Sequence, residues 1–392
     1  MPAFDTIVIG LGAVGSACLY QLAKRGQRVL GLDRYAPPHI YGSSHGETRI
    51  TRQAIGEGEA YVPLVNRSHE IWREIEAETG AELLVQCGAL ILAEREGAAN
   101  HHGKGDFLRR TIAAAEQFGI PHEVLNAAEV GARYPQFGLT GAEIGYFEPG
   151  GGFVQPERCI AAQLSLAWRH GAEVMLDTAV ASIMPDGPDA TTVITATGSR
   201  FTAARVVVAS GPWAAGLVGQ PLGQHLRVCR QVLHWFGADD EAAYAPERFP
   251  VFIWMHGDRQ EDYLYGFPVP GGSTGVKVAT EQYEETIADP DLLRRDVSAG
   301  EQEAMHRDHI QGRLRGVRSG ALRSSACMYT VTPDSGFVVD WLPGDGRVLL
   351  ASACSGHGFK HSAGLGEAIA QGITDTAPQL MHFGFARLAA SN

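Results

Sequence analysis

Residues 5–33 read DTIVIGLGAVGSACLYQLAKRGQRVLGLD, and their pattern indicates the fold class more strongly than any other part of the chain. An apolar strand leads into Gly10-x-Gly12-x-x-Gly15, an amphipathic run follows, and a second apolar strand ends at Asp33. Glycines at this spacing form a tight turn, admit a pyrophosphate and let a helix pack closely on a strand. The stretch therefore predicts a βαβ unit that binds the phosphates of a dinucleotide at the N-terminus of its helix.

Asp33 lies 23 residues after Gly10, where an acidic side chain accepts hydrogen bonds from the adenosine ribose. The motif does not distinguish NAD from FAD, and the alternative is a glycine-rich turn in another kind of sheet protein. Residues Thr6 to Ala23 carry no charge and are long enough for a membrane span, but no basic segment precedes them. Because the glycine motif accounts for this run, we expect no membrane segment and no targeting signal.

The chain has 392 residues, more than the ~250–300 at which one hydrophobic core stops growing, so two domains are expected. Its 44 acidic and 32 basic residues give a net charge of −12, which opposes the phosphate neutralisation that nucleic-acid binding needs. We therefore expect no nucleic-acid partner, and a carboxylate ligand must be attracted by a local cluster of Arg and Lys. The six cysteines lack CxxC spacing, which argues against a zinc site and favours a cytoplasmic location.

The α/β pattern of the N-terminal stretch returns twice along the chain, whereas the intervening parts are richer in aromatic residues, histidines and irregular turns. We predict an α/β fold, α+β overall, with a discontinuous Rossmann-like domain formed by residues 1–82, 150–218 and 321–385. Residues 83–149 and 219–320 are assigned to an interleaved catalytic domain built on a mixed sheet.

Two further segments contain cations next to turn residues. Residues 43–52, SSHGETRITR, place Arg49 and Arg52 three apart, close to one face if the segment is helical. Such a pair matches a carboxylate, although surface salt bridging is the alternative. Residues 355–360, SGHGFK, join a strand to the final helix and direct backbone N–H groups at an anion, and Lys360 opposes the helix dipole there.

A third segment, residues 327–334, reads CMYTVTPD. A free cysteine such as Cys327 is ordinarily a small buried hydrophobic residue, and that reading stands if the segment is taken alone.

Together, the glycine motif, the Thr-Arg-x-x-Arg segment, Cys-Met-Tyr-Thr and Ser-Gly-His-Gly-Phe-Lys resemble the family of monomeric sarcosine oxidase and N-methyltryptophan oxidase over nearly the whole chain. The resemblance implies FAD attached covalently through Cys327, with Arg49 beside the flavin. It also implies that Arg52 and Lys360 hold the substrate carboxylate. The remaining flavin contacts that we predict from these segments are Ser43, Ser44, Gly211, Gly356, Gly358 and Phe359, and His357 is predicted to belong to the catalytic site.

The family also has a Tyr-Gly-Phe-Pro segment followed by Gly-x-Lys, and this chain has both, at residues 265–268 and 275–277. The resemblance implies that Lys277 activates oxygen and that Tyr265 and Tyr329 wall the amine pocket. Sarcosine-oxidising members tend to have a histidine four residues after this lysine, where this chain has Glu281. If Glu281 faces the pocket, sarcosine is expected to be a poor substrate; the alternative is that Glu281 points to solvent.

The resemblance implies an oxidase of the C–N bond of a small secondary amino acid. A hydride equivalent passes to the flavin, the imine hydrolyses, and oxygen is reduced to hydrogen peroxide. Two alternatives remain: a flavin dehydrogenase that uses an electron carrier, and a non-catalytic FAD- or NAD-binding sensor. We expect a monomer without a metal site, and we interpret the His101-His102 pair as surface or internally satisfied residues without ligand partners.

Overall fold

The computed structural model describes residues 2–94, 101–257, 259, 261–375 and 381–391. This part of the chain contains eight α-helices, numbered α1 to α8 in chain order: Ala13–Lys24, Val62–Thr79, Phe107–Gln117, Ala127–Arg133, Pro156–Arg169, Ala214–Val218, Ala299–Met305 and Ser362–Thr374.

The same part of the chain contains twenty strands, numbered β1 to β20: Phe4–Ile9, Val29–Leu32, Arg49–Thr51, Leu84–Val85, Ala89–Ala93, Glu123–Asn126, Ile144–Glu148, Gly152–Val154, Glu173–Met175, Val180–Asp186, Ala190–Thr195, Arg200–Val208, Arg227–Ala238, Val251–Met255, Tyr263–Gly266, Val276–Ala279, Thr286–Ile287, Val317–Val331, Val338–Leu342 and Asp345–Ser352.

The first sheet has β1 at its centre, in the order β10-β11-β12-β1-β2-β9, with β20 pairing β12 and β19 pairing β20. β1 pairs in parallel with both β2 and β12, and α1 joins β1 to β2, so the predicted βαβ unit is confirmed. Helix α1 packs against α5 and α8, which come from the two later α/β passages. The three passages therefore share one sheet and one helical layer, as a Rossmann-like domain requires.

The uncharged run from Thr6 to Ala23 contains the buried end of β1, the glycine turn and most of α1, all within this layered core. Within the described residues, no helix combines the length and the apolar character needed to cross a bilayer.

The second sheet is mixed, in the order β17-β13-β16-β15-β14-β5-β7-β6, with β18 pairing β13. β14 and β5 run parallel, while the other pairs are antiparallel. Large apolar side chains on these strands, among them Leu90, Phe236 and Trp254, form a separate core. The predicted combination of a Rossmann-like sheet with an interleaved mixed sheet is confirmed.

Strand β18 crosses the domain boundary that we proposed between residues 320 and 321. It pairs with β13 from Val317 to Val331, so Cys327 lies opposite Gln231 in the second sheet. The partner strand is about 90 residues away in sequence, and apolar patterning alone does not identify which sheet such a strand joins. We therefore move the proposed boundary of the catalytic domain to residue 331.

Gly15 is the residue at which α1 comes closest to the preceding turn. A Cβ atom on Gly15 would lie 1.7 Å from the carbonyl oxygen of Gly10. Neither group belongs to a flexible side chain, so the contact can be relieved only by moving the helix away from the turn.

We predict that Gly15→Ala lowers the free energy of unfolding by about 2–3 kcal/mol and reduces the FAD content, because the added methyl group separates helix and turn. Urea unfolding followed by circular dichroism and the visible flavin absorbance measure the two effects. Gly346→Ala is the control, since a Cβ on Gly346 would meet nothing within 4 Å. Normal stability and FAD content in Gly15→Ala would contradict this account of the turn.

Candidate active site

One continuous cavity of about 420 Å³ connects the glycine turn of the first sheet with side chains of the second sheet. Its volume is in the range of ligand-binding pockets. Most of the site residues predicted from sequence lie on its wall: Gly10, Gly12, Asp33, Ser43, Ser44, Arg49, Arg52, Gly211, Tyr265, Glu281, Tyr329, Gly356, His357, Gly358, Phe359 and Lys360. Gly15, Lys277 and Cys327 are not part of this wall.

The glycine-turn end of the cavity fits a dinucleotide phosphate. Helix α1 begins after Gly12 without a side-chain cap and without an acidic residue in its first turn. A Cβ on Gly12 would meet only the Ser44 hydroxyl, at 3.6 Å, so the backbone is open towards the cavity. Ser210 Oγ on the same wall is buried without a hydrogen-bond partner. Free N–H groups and an unpaired hydroxyl are the donors that an anionic phosphate needs.

Asp33 holds the glycine turn in place. Its Oδ2 accepts a hydrogen bond from the backbone N–H of Leu11 at 2.7 Å, and Oδ1 accepts one from Tyr35 N–H at 2.9 Å. Because a carboxylate has about four lone-pair sites, two remain for the ribose contact predicted from sequence.

Arg49 and Arg52 lie on an extended segment, so the helical pairing considered from sequence is wrong. Residues 49–51 form β3, and side chains three residues apart on a strand point to opposite faces. Arg49 donates to the carbonyl oxygens of Thr48 and Ser43 at 2.8 and 2.9 Å. Arg52 instead donates to the carbonyl of Ala54 and to a carboxylate that the sequence analysis did not single out.

That carboxylate is Glu57, the centre of a buried ionic cluster. Arg52 Nη2 donates to Glu57 Oε2 at 2.8 Å, and Lys360 Nζ lies 3.8 Å from Oε1. His102 Nδ1 lies 3.2 Å from Glu57 Oε1, and His102 Nε2 lies 3.1 Å from Glu281 Oε2. All five side chains line the cavity, and each is at most 7% exposed to solvent.

Burial and mutual attraction set the charges of this cluster. Burial alone would raise the pKa of Glu57, but Arg52, Lys360 and His102 hold that pKa well below its usual value. Burial opposes the charge of His102, yet Glu281 and Glu57 raise its pKa to about 9. Burial lowers the pKa of Lys360 to about 8 against the attraction of Glu57. At neutral pH, both carboxylates, His102 and Lys360 are therefore charged.

His101 and His102 are buried, so the surface alternative considered from sequence is wrong and the internally satisfied one fits, although both residues have a potential metal-ligand partner in Glu57. Both are buried in the cavity with ring centroids 3.7 Å apart, and His101 Nε2 lies 3.4 Å from the Tyr263 hydroxyl. Glu57, His101 and His102 each offer a ligand atom within 4.8 Å of the others, a spacing that a metal ion accepts. Arg52 and Lys360 already contact Glu57, however, and they would repel a divalent cation.

Glu281 faces the cavity and not the solvent. Its side chain is 6% exposed, and it accepts hydrogen bonds from the hydroxyls of Tyr283 at 2.9 Å and Tyr329 at 3.4 Å. Burial would raise the pKa of Glu281, but His102 and Tyr283 hold it below its usual value. Tyr329 also lies 3.4 Å, hydroxyl to hydroxyl, from Tyr265, so the two predicted wall residues are adjacent.

The Ser-Gly-His-Gly-Phe-Lys turn brings the backbone against this cluster. Gly356 has a φ of +84°, and a Cβ there would lie 2.9 Å from His102 Nε2 and 3.1 Å from Glu281 Oε1. A side chain at this position would therefore displace the two groups. Lys360 lies in the 3₁₀ turn Phe359–His361 that precedes α8, and its Nζ donates to the carbonyl of His357 at 3.0 Å.

Cys327 and Lys277 do not line the cavity themselves. They lie directly behind residues that do. Cys327 is 1% exposed and packs in a small cluster with Tyr265. It lies two residues before Tyr329 on β18, hence on the same face of the strand. Lys277 Nζ donates to the carbonyls of Gly46 and Thr48, each at 2.7 Å, and burial holds its pKa well below its usual value.

Four further wall residues, Glu57, His101, His102 and Tyr263, are not indicated by any sequence motif. Glu57 follows Arg52 by five residues and lies between two glycines, but no periodicity distinguishes it from a surface acid. The His101-His102 doublet is visible in the sequence, whereas the carboxylates that engage it lie 45 and 179 residues away. Only the tertiary fold brings these groups together.

A Rossmann-like sheet whose phosphate-binding turn opens into a cavity lined by buried arginine, lysine and tyrosine side chains defines a dinucleotide-dependent oxidoreductase. The family described as FAD dependent oxidoreductase matches residues 5–372, and the chain belongs to this family. It is a flavoprotein with FAD as its cofactor.

Two relatives show where the chain stands within the family. It is 36% identical to the monomeric sarcosine oxidase of Streptomyces avermitilis over 94% of this chain and 93% of that protein. It is 34% identical to the N-methyl-L-tryptophan oxidase of Yersinia pestis over 94% of each chain. The resemblance inferred from motifs is thereby confirmed.

The fold also matches a solved structure of NikD, an unusual amino acid oxidase essential for nikkomycin biosynthesis. The TM-score is 0.80 at 21% sequence identity, over 99% of this chain and 97% of that one. At this identity the likeness shows the shared fold.

We predict that Glu57→Gln lowers the free energy of unfolding by about 3 kcal/mol, because Arg52 and Lys360 stay buried without their shared anion. Acetate should restore part of this loss by binding to the two cations as a separate anion. Urea unfolding of the holoprotein with and without acetate measures both effects. Glu123→Gln, which breaks an exposed pair with Arg133, is the control and should change little. Equal stability of Glu57→Gln and wild type would contradict the role given to Glu57.

Proposed function

We propose that the protein is an FAD-dependent oxidase of the C–N bond of a small secondary amino acid, with oxygen as the electron acceptor. The observation that carries the proposal is the buried pair of cations, Arg52 and Lys360, on the wall of the cavity that begins at the phosphate-binding turn. A carboxylate held by these two cations would lie in the cavity that begins at the phosphate-binding turn, where FAD would bind. The names of the two relatives, sarcosine oxidase and N-methyl-L-tryptophan oxidase, support the same reaction class.

The bound FAD would supply the redox chemistry, accepting a hydride equivalent from the carbon next to the amine and returning the electrons to oxygen. The side chains of this protein position the substrate. Arg52 and Lys360 would bind its carboxylate through charge-assisted hydrogen bonds, and Tyr265 and Tyr329 would enclose the amine. Because the wall is buried, each of these interactions is stronger than it would be in water.

Cys327 is the proposed site of covalent attachment of the cofactor. Its place on the cavity-facing side of β18, beside Tyr265, supports this assignment, and so does its nearness to Arg49 and Lys277. Burial raises the pKa of the Cys327 thiol, while those two cations oppose that increase. Positive charge near a thiol favours the thiolate, which is the nucleophilic form.

Lys277 is proposed to promote the reaction with oxygen. Its ammonium group lies 4.4 Å from the centroid of the Phe267 ring and has carbonyl acceptors from the segment that carries Arg49. Burial and the charge of Arg49 lower the pKa of Lys277, whereas those acceptors oppose this by favouring the ammonium form. In that form the group would stabilise an anionic oxygen species as it develops. Because Lys277 lies behind the cavity wall, this charge would act through the Gly46–Arg49 segment.

Glu281 is proposed to set the substrate preference. Its carboxylate already accepts from His102, Tyr283 and Tyr329, so about one of its four lone-pair sites remains for a substrate donor. A second carboxylate on the substrate would be repelled, whereas an N–H donor would be accepted. We also propose that the protein acts as a monomer in the cytoplasm, with the amino acid and oxygen as its substrates.

We predict that FAD remains attached after denaturation through a thioether to Cys327. After acid precipitation the pellet should be yellow and the supernatant colourless. Cys327→Ser should release its flavin under the same treatment, while Cys159→Ser, at a buried cysteine outside the cavity, should retain it. Flavin absorbance of the pellet and the supernatant decides, and a colourless wild-type pellet would rule out the covalent bond.

We predict that sarcosine is a poor substrate and that N-methyltryptophan or pipecolate is turned over with a higher kcat/KM. The reason is that the Glu281 carboxylate faces the pocket and favours a donor near the reacting nitrogen. A peroxide-coupled assay with sarcosine, N-methylalanine, N-methyltryptophan, proline and pipecolate ranks the substrates.

A clear preference for sarcosine would remove the role assigned to Glu281. Substrate-dependent reduction of an artificial dye without peroxide in air would instead identify the protein as a dehydrogenase.

A further inference from the structure

His102 is placed between two carboxylates on opposite sides of its ring. Its Nδ1 lies 3.2 Å from Glu57 Oε1, and its Nε2 lies 3.1 Å from Glu281 Oε2. The ring is 4% exposed, so water does not compete for either nitrogen. The backbone of Gly356 lies close to the Nε2 edge of the ring, since a Cβ at Gly356 would be 2.9 Å from Nε2. This close packing keeps the ring in its position.

This geometry requires a proton on each nitrogen of His102. An ionised carboxylate only accepts hydrogen bonds, and a neutral imidazole has a single N–H donor. With one proton, one ring nitrogen would therefore present its lone pair to a buried anion. The doubly protonated imidazolium removes that conflict and donates to both carboxylates.

The charges of the five-residue buried ionic cluster then sum to a single positive charge. Arg52, Lys360 and His102 contribute three positive charges, and Glu57 and Glu281 contribute two negative ones. Burial holds the pKa values of His101 and His357 well below their usual range, so these rings are neutral. An amino acid with an ionised carboxylate and an uncharged amine carries one negative charge and balances the site.

We propose that His102 is a positioning residue that serves as the third cation of the substrate site, neutralising Glu57 and Glu281 so that the site selects an amino acid with an uncharged amine. This inference rests on the proposed function. It deepens that function, because oxidation at the carbon next to nitrogen needs the amine lone pair, and the wall favours the form that has it.

The proposal has a pH dependence whose sign is fixed. The pKa of His102 is raised, so its charge is present at neutral pH and is lost as the pH rises through about 9. Lys360, with its pKa lowered to about 8, loses its charge earlier. The other titratable groups around the His102 ring, namely His101, His357, Tyr263, Tyr283 and Tyr329, stay neutral in this range because burial lowers the pKa of the histidines and raises that of the tyrosines.

The test is acetate binding to the holoenzyme, read from the perturbation of the flavin spectrum between pH 6 and 10 without any turnover. His102→Gln should weaken acetate binding about tenfold at pH 7, because one positive charge is lost close to the anion. It should also remove the part of the decline in acetate binding near pH 9 while keeping the part near pH 8 that Lys360 causes. Glu281→Gln should strengthen binding, and the double variant His102→Gln with Glu281→Gln restores the net charge and should bind like wild type.

His234→Gln is the matched control, since His234 is buried, bonds Ser324 at 2.9 Å and lies outside the cavity. Unchanged acetate binding in His102→Gln would overturn the proposal. The proposal would also be overturned if the double variant bound acetate as weakly as His102→Gln. That result would indicate a packing role for His102, because removing the charge of Glu281 cannot rescue lost packing. Tight binding of Zn²⁺ to the wild type at pH 7, with loss of acetate, would show a metal site instead. Turnover of secondary amino acids is measured separately, so failure of the proposed function is distinguishable.

Discussion

Two buried carboxylates, Glu57 and Glu281, constrain the arrangement of the whole substrate site. A carboxylate taken out of water costs several kcal/mol unless charged and hydrogen-bonding partners surround it. Glu57 has Arg52, Lys360 and His102, and Glu281 has His102 and two tyrosine hydroxyls. Removing any cation would leave an anion uncompensated, so the positions of these side chains depend on one another.

The cluster forms because the fold brings four separate parts of the chain to one place. Arg52 and Glu57 follow β3, Lys360 precedes α8, Glu281 follows β16, and His102 lies between β5 and α3. The parallel sheet supplies the phosphate-binding turn, while the mixed sheet supplies Tyr265 and Tyr329. The cavity between the two sheets therefore combines a cofactor-binding turn with a charge-selective pocket. Neither sheet provides both of these features alone.

Local features could be predicted from the sequence, whereas long-range ones could not. The glycine motif, its helix and Asp33 belong to one βαβ unit of about 30 residues, so the sequence locates β1, α1 and Asp33 correctly. The helical pairing of Arg49 with Arg52 was wrong because β3 is held by its partner β8, about 100 residues away. The ring of His102 is buried and charged because it lies between Glu57 and Glu281. A histidine doublet in a sequence by itself indicates neither burial nor charge. The roles of Cys327 in flavin attachment and of Lys277 in the reaction with oxygen stay predictions.

The most direct measurement of the central claim is the flavin absorbance of the holoenzyme mixed with a secondary amino acid in the absence of oxygen. The account predicts that the visible absorbance is bleached by about one equivalent of substrate and returns when air is admitted, with formation of hydrogen peroxide. An absorbance that no secondary amino acid changes would contradict the account, because the cavity would then bind FAD without presenting an oxidisable amine to it.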